Sequence, residues 1–298
     1  MFRLRLCFLM SRRVVVRGIM RGVLRGLVVV FLGLNHTLAA ELSFRWETSI
    51  PENDNLREVL SAHQVEIRLQ TFVKVNLQLK ADTEFVIHQG GEPFFDAREN
   101  RVYLPYSLFL ELHERLVERY PEQLLVRENI FSAAVEQLIW FQFARVLVSQ
   151  YALPVSGLEA YALDDFVVLM LLNLSDTPYL LDAAEEYLLV DHSSSLLQRD
   201  RFQNEIEFDK ARYHMMVCTT VGKDYLRSEE VLKDLAWEPE RHERCQTLYW
   251  QKLKQWYASL APYLKEDNQL LLWLSHKPST VDDATTTNKS TPSTQEEY

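Results

Sequence analysis

With 298 residues, 47 % of them hydrophobic and 25 % charged, the chain can bury the core of one large domain or two modest ones. Its formal net charge is −10, and removing the seven arginines of residues 1–40 takes it to −17. So acidic a remainder disfavours nucleic acid and anionic membranes as partners.

Residues 1–40 hold those seven arginines and no acid, then the apolar run GLVVVFLGL and the small-residue end NHTLAA. Basic, apolar and small segments in that order read as a secretory signal with cleavage near Ala39 or Ala40. The apolar run is shorter than the roughly 20 residues a membrane helix needs, so no stable span is expected after cleavage. Retention of the segment as an anchor is the alternative. A start at Met20 gives the compact signal MRGVLRGLVVVFLGLNHTLAA, which points to a true start downstream of residue 1. Export to the periplasm or the medium is the expectation.

Beyond the signal, one domain is expected over residues 41–276. ELSFRWETSIPENDN reads as an extended lead-in, and apolar spacing predicts a helix from Leu56 to Lys80. A β region follows: TEFVIHQ, the turn GGEP, FFDA, the turn REN, and RVYLPY. Helices are then expected over SLFLELHERLVERY up to Pro121, from Ile130 to Tyr151, from Leu158 to Leu172, and over YLLDAAEEYLLV. Further helices are expected near residues 203–217, 225–235 and 243–262, with a last short element at QLLLWLS. Residues 277–298 form a Ser/Thr-rich tail whose composition cannot bury a core, so disorder is expected. The fold class is α+β, mainly α-helical, with a small N-terminal β-sheet followed by a helical bundle.

Of three cysteines, Cys7 leaves with the signal. Cys218 and Cys245 remain as an even pair in an exported chain, so a disulfide between them is expected, with two buried thiols as the alternative. No CxxC spacing and no Cys/His cluster suggests a structural metal site.

Four segments carry a resemblance. They are QGGEPFFDARENRVYLPYSL, LPVSGLEAYALDDFVVLMLL, EIEFDKARYHMMVCTTVGKD and WEPERHERCQTLYW. In order and spacing across residues 45–263 they resemble a family of exported bacterial zinc metallopeptidases with a zincin-like domain of unknown function. The family's counterparts are Cys-Gly with Asn-Ala-Phe-Tyr-Asp and Cys-Tyr-Glu, then Leu-Pro-Val-x-Gly-x-Glu-Glu. Glu-His-x-Leu-Asp-x-Gln-Arg-Phe and Leu-Pro-x-x-Arg follow. The resemblance implies a zincin-like fold and a zinc site built on H-E-x-x-H. There two imidazoles one helical turn apart grip the ion while the glutamate takes a proton from the bound water.

Counting back from Leu153 puts that pentad on FQFAR, Phe141 to Arg145. Phe141 stands in the first ligand seat and has no lone pair to give. Gln142 stands at the base and cannot take the proton. Arg145 stands in the second seat and stays cationic at any working pH. The second glutamate of the Glu-Glu pair corresponds to Ala160, and the histidine of the later segment corresponds to Ile206. Glu159, Asp164, Asp209 and Arg212 match the family and are expected to form a vestigial site, with Tyr213 beside it. The upstream cysteine pair is replaced by Gly90 and Pro105. Other histidines do not rebuild the motif: LHERL at His113 has Val117 in the last seat, and HERCQ at His242 ends in Gln246.

Two expectations concern what replaced the ion. Arg145 is expected either to hold Glu159 and Asp164 as a guanidinium–carboxylate pair or to extend to solvent. Trp140, Phe141 and Phe143 are expected either to line an inherited groove or to be core. The sequence thus reads as an exported metallopeptidase relative without catalytic residues, zinc or other cofactor, with a binding or structural role toward a peptide or protein. One alternative is an active zinc enzyme with non-standard ligands, such as Glu159, Asp164 or Asp165 with a histidine from elsewhere. The other is a periplasmic interaction module unrelated to peptidases.

Overall fold

The fold is organised by TEFVIH, a β-branched and aromatic run whose Phe85, Val86 and Ile87 are all buried. Only a strand with neighbours on both sides and a covered face buries consecutive residues this way. The computed structural model describes residues 40–47, 55–155, 159–174, 179–190, 205–223, 238–270 and 272. The expected signal, the expected helix at 225–235 and the expected tail lie outside them.

Four strands make a mixed sheet in the order β1-β2-β4-β3, from β1 (Leu42–Trp46), β2 (Thr83–His88), β3 (Phe94–Asp96) and β4 (Arg101–Pro105). β1, β2 and β4 run parallel, and β3 returns antiparallel along the outer edge of β4. The lead-in expected to be merely extended is therefore a strand. Phe44 lies opposite Phe85 in the register, and their rings stack at 4.9 Å. Glu84 links the three parallel strands, accepting from Arg45 at 2.9 Å and Arg101 at 2.9 Å. Gly90, in one lost cysteine position, lies two residues past His88, whose register partner is Pro105, the other position. Both replaced positions thus sit at the same end of neighbouring strands.

A parallel connection needs a crossover, and two helices supply it between β1 and β2: α1 (Asn55–Ala62) and α2 (Val65–Asn76). The sequence predicts one helix here. It breaks at Gln64, which adopts the left-handed conformation at φ 54° although no glycine or proline marks the site. After the sheet come α3 (Tyr106–Arg119), α4 (Leu124–Tyr151), α5 (Glu159–Leu174), α6 (Leu180–Val190), α7 (Glu205–Lys223) and α8 (Pro239–Leu260). The result is a mainly helical α+β protein.

α4 begins six residues ahead of its expected start and is the axis of the core. Every residue from Ile130 to Ala144 is buried, which suits a helix that is apolar all round. It is long and apolar enough to cross a membrane by length and composition, yet 94 % of its most apolar window is buried inside the protein. Glu136 on this helix is held by Arg68 of α2, with Nε and Nη2 donating at 2.8 and 2.5 Å. Gln137 donates to the Leu180 carbonyl at 2.8 Å and so fixes the start of α6. α4 ends at Ala152, left-handed at φ 51°, and Pro154 follows where the helix cannot continue.

α7 and α8 are clamped by the Cys218–Cys245 disulfide, with Cα atoms 5.0 Å apart. The chain then folds back to α2: Gln78 N–H donates to the Tyr263 carbonyl at 2.8 Å, and Lys265 N–H to the Asn76 carbonyl at 2.9 Å. The Tyr151 and Tyr263 rings stack at 3.8 Å beside this junction.

Candidate functional site

The FQFAR pentad lies on α4, as the count from Leu153 requires. Trp140, Phe141 and Phe143 are each at most 1 % exposed, so these aromatics are core rather than groove lining. Gln142 is also buried. Arg145, one turn past Phe141, is half-buried at the surface of the helix.

Phe141 is the centre of the arrangement. The Arg145 guanidinium carbon lies 5.3 Å from its ring centroid, and that of Arg212, from α7, lies 5.2 Å away. Two permanent cations thus share one buried ring, in the range where each gains from the ring's negative face. Arg212 is fully buried, an unusual state for arginine that demands compensation. Asp164 of α5 supplies it through a two-pronged contact: Nε donates to Oδ2 at 2.7 Å and Nη2 donates to Oδ1 at 2.9 Å. Both side chains are excluded from solvent, so the pair locks α5 to α7 against the α4 ring.

The carboxylate that the sequence offered to Arg145 is therefore held by Arg212. Arg145 stands over the Phe141 ring, while both Asp164 oxygens accept from Arg212. Glu159, at the first position of α5, is exposed. It shares with Arg145 an open groove of about 430 Å³, walled by Phe94 and Phe95 of edge strand β3 and by Val148 of α4. Asp209 lies on α7, but its side chain is outside the described residues. Arg212 came from the sequence only as a match to a motif. Its part as partner to Asp164 had no sequence signal, because 48 positions separate the two.

Zinc needs three protein donors drawn from imidazole, thiolate or carboxylate at about 2.0–2.3 Å. The two helix seats offer a phenyl ring and a guanidinium, Ala160 is a buried methyl, and both Asp164 oxygens are engaged by Arg212. Two of the described histidines pack elsewhere: His113 edge-on against Phe131, and His88 against Tyr103. Among the described residues, no three His, Cys, Asp or Glu side chains could hold one ion. The described side chains in these seats do not fit zinc.

A second polar pair lies where α5, α7 and α8 meet. Asp165 is the neighbour of Asp164 but faces Lys252 of α8, whose Nζ donates to Oδ1 at 2.5 Å and to Thr219 Oγ1 at 3.2 Å. Burial pushes the Asp165 carboxyl up to about 6, against the opposing pull of the Lys252 ammonium.

Residues 46–260 match the model of a protein family described as putative metallopeptidase. Among curated proteins and among solved structures, nothing matches the chain. The match spans well over half of the sequence and contains every residue of the site just described, so the chain belongs to the putative metallopeptidase family.

Proposed function

We propose that this member of the family acts without zinc and without hydrolysing peptides, as an exported binding or structural protein. The observation that carries the reading is the pair of guanidiniums within 5.3 Å of Phe141, the residue in the first ligand seat. A divalent cation there would face two like charges and gain no lone pair from the ring. Arg212 with Asp164 supplies instead a neutral, hydrogen-bonded pair that holds the helices in register without an ion.

The groove beside Arg145 and Glu159 suits a binding role toward a peptide or protein. It is open, has phenyl side chains along one wall, and carries one charge of each sign. Export rests on the basic, apolar and small order of residues 1–40. The disulfide agrees with an oxidising compartment.

Elemental analysis of protein purified from zinc-replete medium tests the reading, paired with a chelator-sensitive assay on a quenched peptide library. The expected result is zinc far below one atom per chain and no chelator-sensitive cleavage. One zinc per chain, with cleavage abolished by chelator, would establish an active enzyme with non-standard ligands instead.

A further inference from the structure

A cavity of about 220 Å³ lies away from the FQFAR seats, where the Leu153–Val155 turn, α5, α7 and α8 come together. Its walls include Leu153, Val155, Met215 and Trp256, while Asp165 and Lys252 bring a carboxylate and an ammonium to the same space. The volume is below the ~300–1,000 Å³ of sites for drug-sized molecules, so the occupant is small. Neither charged group is at the free surface: their side chains are 13 % and 12 % exposed.

The hydrogen bonding of the pair is half used. An ammonium has three donors and a carboxylate about four acceptor positions. Lys252 spends two donors, on Asp165 Oδ1 and Thr219 Oγ1, and Thr219 passes its own proton to the Met215 carbonyl. The Thr219 hydroxyl is also within hydrogen-bonding reach of the Asp165 carboxylate. Among the described residues, Lys252 and Thr219 are the side chains paired with it, and Asp165 and Thr219 take two of the three Lys252 donors. Acceptor capacity on the carboxylate and one ammonium donor therefore remain side by side in a chamber whose other walls are apolar side chains together with Tyr161, Gln255 and Ser259.

We propose that this cavity binds a free amino acid with an apolar side chain, its ammonium on Asp165 and its carboxylate on Lys252. A ligand with only a positive charge would meet the Lys252 ammonium, and one with only a negative charge would meet Asp165. A zwitterion complements both and leaves the Asp165–Lys252 bond in place. The apolar side chain then lies against Leu153, Val155, Met215 and the Trp256 indole. The site shares no residue with the FQFAR pentad, so it stands whether or not the family's zinc chemistry persists.

Isothermal titration calorimetry on the full chain with the disulfide intact tests the assignment, using L-leucine and L-phenylalanine at pH 7.5. N-acetyl-L-leucine lacks the ammonium and L-leucinamide lacks the carboxylate. The expected result is saturable binding of at least one amino acid, with a Kd near or below about 1 mM. Both single-charge analogues should bind at least about tenfold more weakly. Failure of both amino acids to bind at concentrations about tenfold above that Kd overturns the proposal, as does equal binding by either analogue. Lys252→Met removes the carboxylate partner but risks misfolding by stranding Asp165, so Ser259→Phe serves as the second variant. Ser259 borders the cavity without touching the ion pair. Folded Ser259→Phe protein should lose binding, and retention of full affinity there would refute the site.

Discussion

The buried Arg212–Asp164 pair makes the sharpest demand on this fold. Replacing Arg212 with methionine keeps most of the aliphatic volume but leaves an Asp164 carboxylate that is 0 % exposed without its guanidinium. Breaking a buried pair from one side costs about 3–5 kcal/mol, because the stranded charge keeps its desolvation penalty. Loss of the Phe141 contact adds up to about 2 kcal/mol where the cation is desolvated. Against a total stability of about 5–15 kcal/mol, Arg212→Met should leave a marginal protein. Replacing both members, Asp164→Leu with Arg212→Met, should recover most of the loss, since well-packed apolar residues often match a buried pair. Urea unfolding followed by circular dichroism reads this directly. With m of about 1–3 kcal/mol/M, the single variant's midpoint should fall by roughly 2 M and the double variant's by well under 1 M. A loss below about 1 kcal/mol in Arg212→Met would refute the claim that this guanidinium neutralises the buried Asp164 carboxylate.

Two other outcomes follow from the packing of α7 on α8 and of α8 on α5. A Cβ at Gly222 would stand 2.2 Å from the Cys245 carbonyl oxygen and 2.7 Å from its carbon. The disulfide at Cys218, one helical turn back, holds those helices together, so Gly222→Ala should cost about 2 kcal/mol despite alanine's better helix propensity. A thermal melt should show a midpoint about 4–8 °C lower, and an unchanged or raised midpoint would contradict the close approach. For Asp165, the folded carboxyl sits near 6 against an ordinary value of 3.8, so between these pH values the folded protein keeps a proton that the unfolded chain releases. Stability should therefore fall as pH rises from about 4 to about 6, by roughly 3 kcal/mol from this group alone. Asp165→Asn should abolish that slope, and parallel pH–stability profiles for the two proteins would show that the carboxyl is not shifted.

Residue chemistry and local period were legible without coordinates. A phenylalanine has no lone pair and an arginine keeps its charge in any fold, so the departure of FQFAR from H-E-x-x-H was legible from the residues alone. The helices following the sheet were legible for a related reason: helical spacing is written within a dozen residues of chain. The even pair Cys218 and Cys245 suggested its own bond, which the structure contains. Tertiary structure decided the pairings between distant residues. β1 is a strand because Leu42–Trp46 meets β2 some forty residues on, and Gln64 is left-handed because α1 and α2 must turn inside that crossover. Asp164 and Asp165 are adjacent in sequence, yet helix geometry points one at Arg212 and the other at Lys252. The sequence could name the carboxylates; only the packing of α5 between α7 and α8 could assign each its cation, because a charged side chain's partner depends on which helices meet and at what rotation.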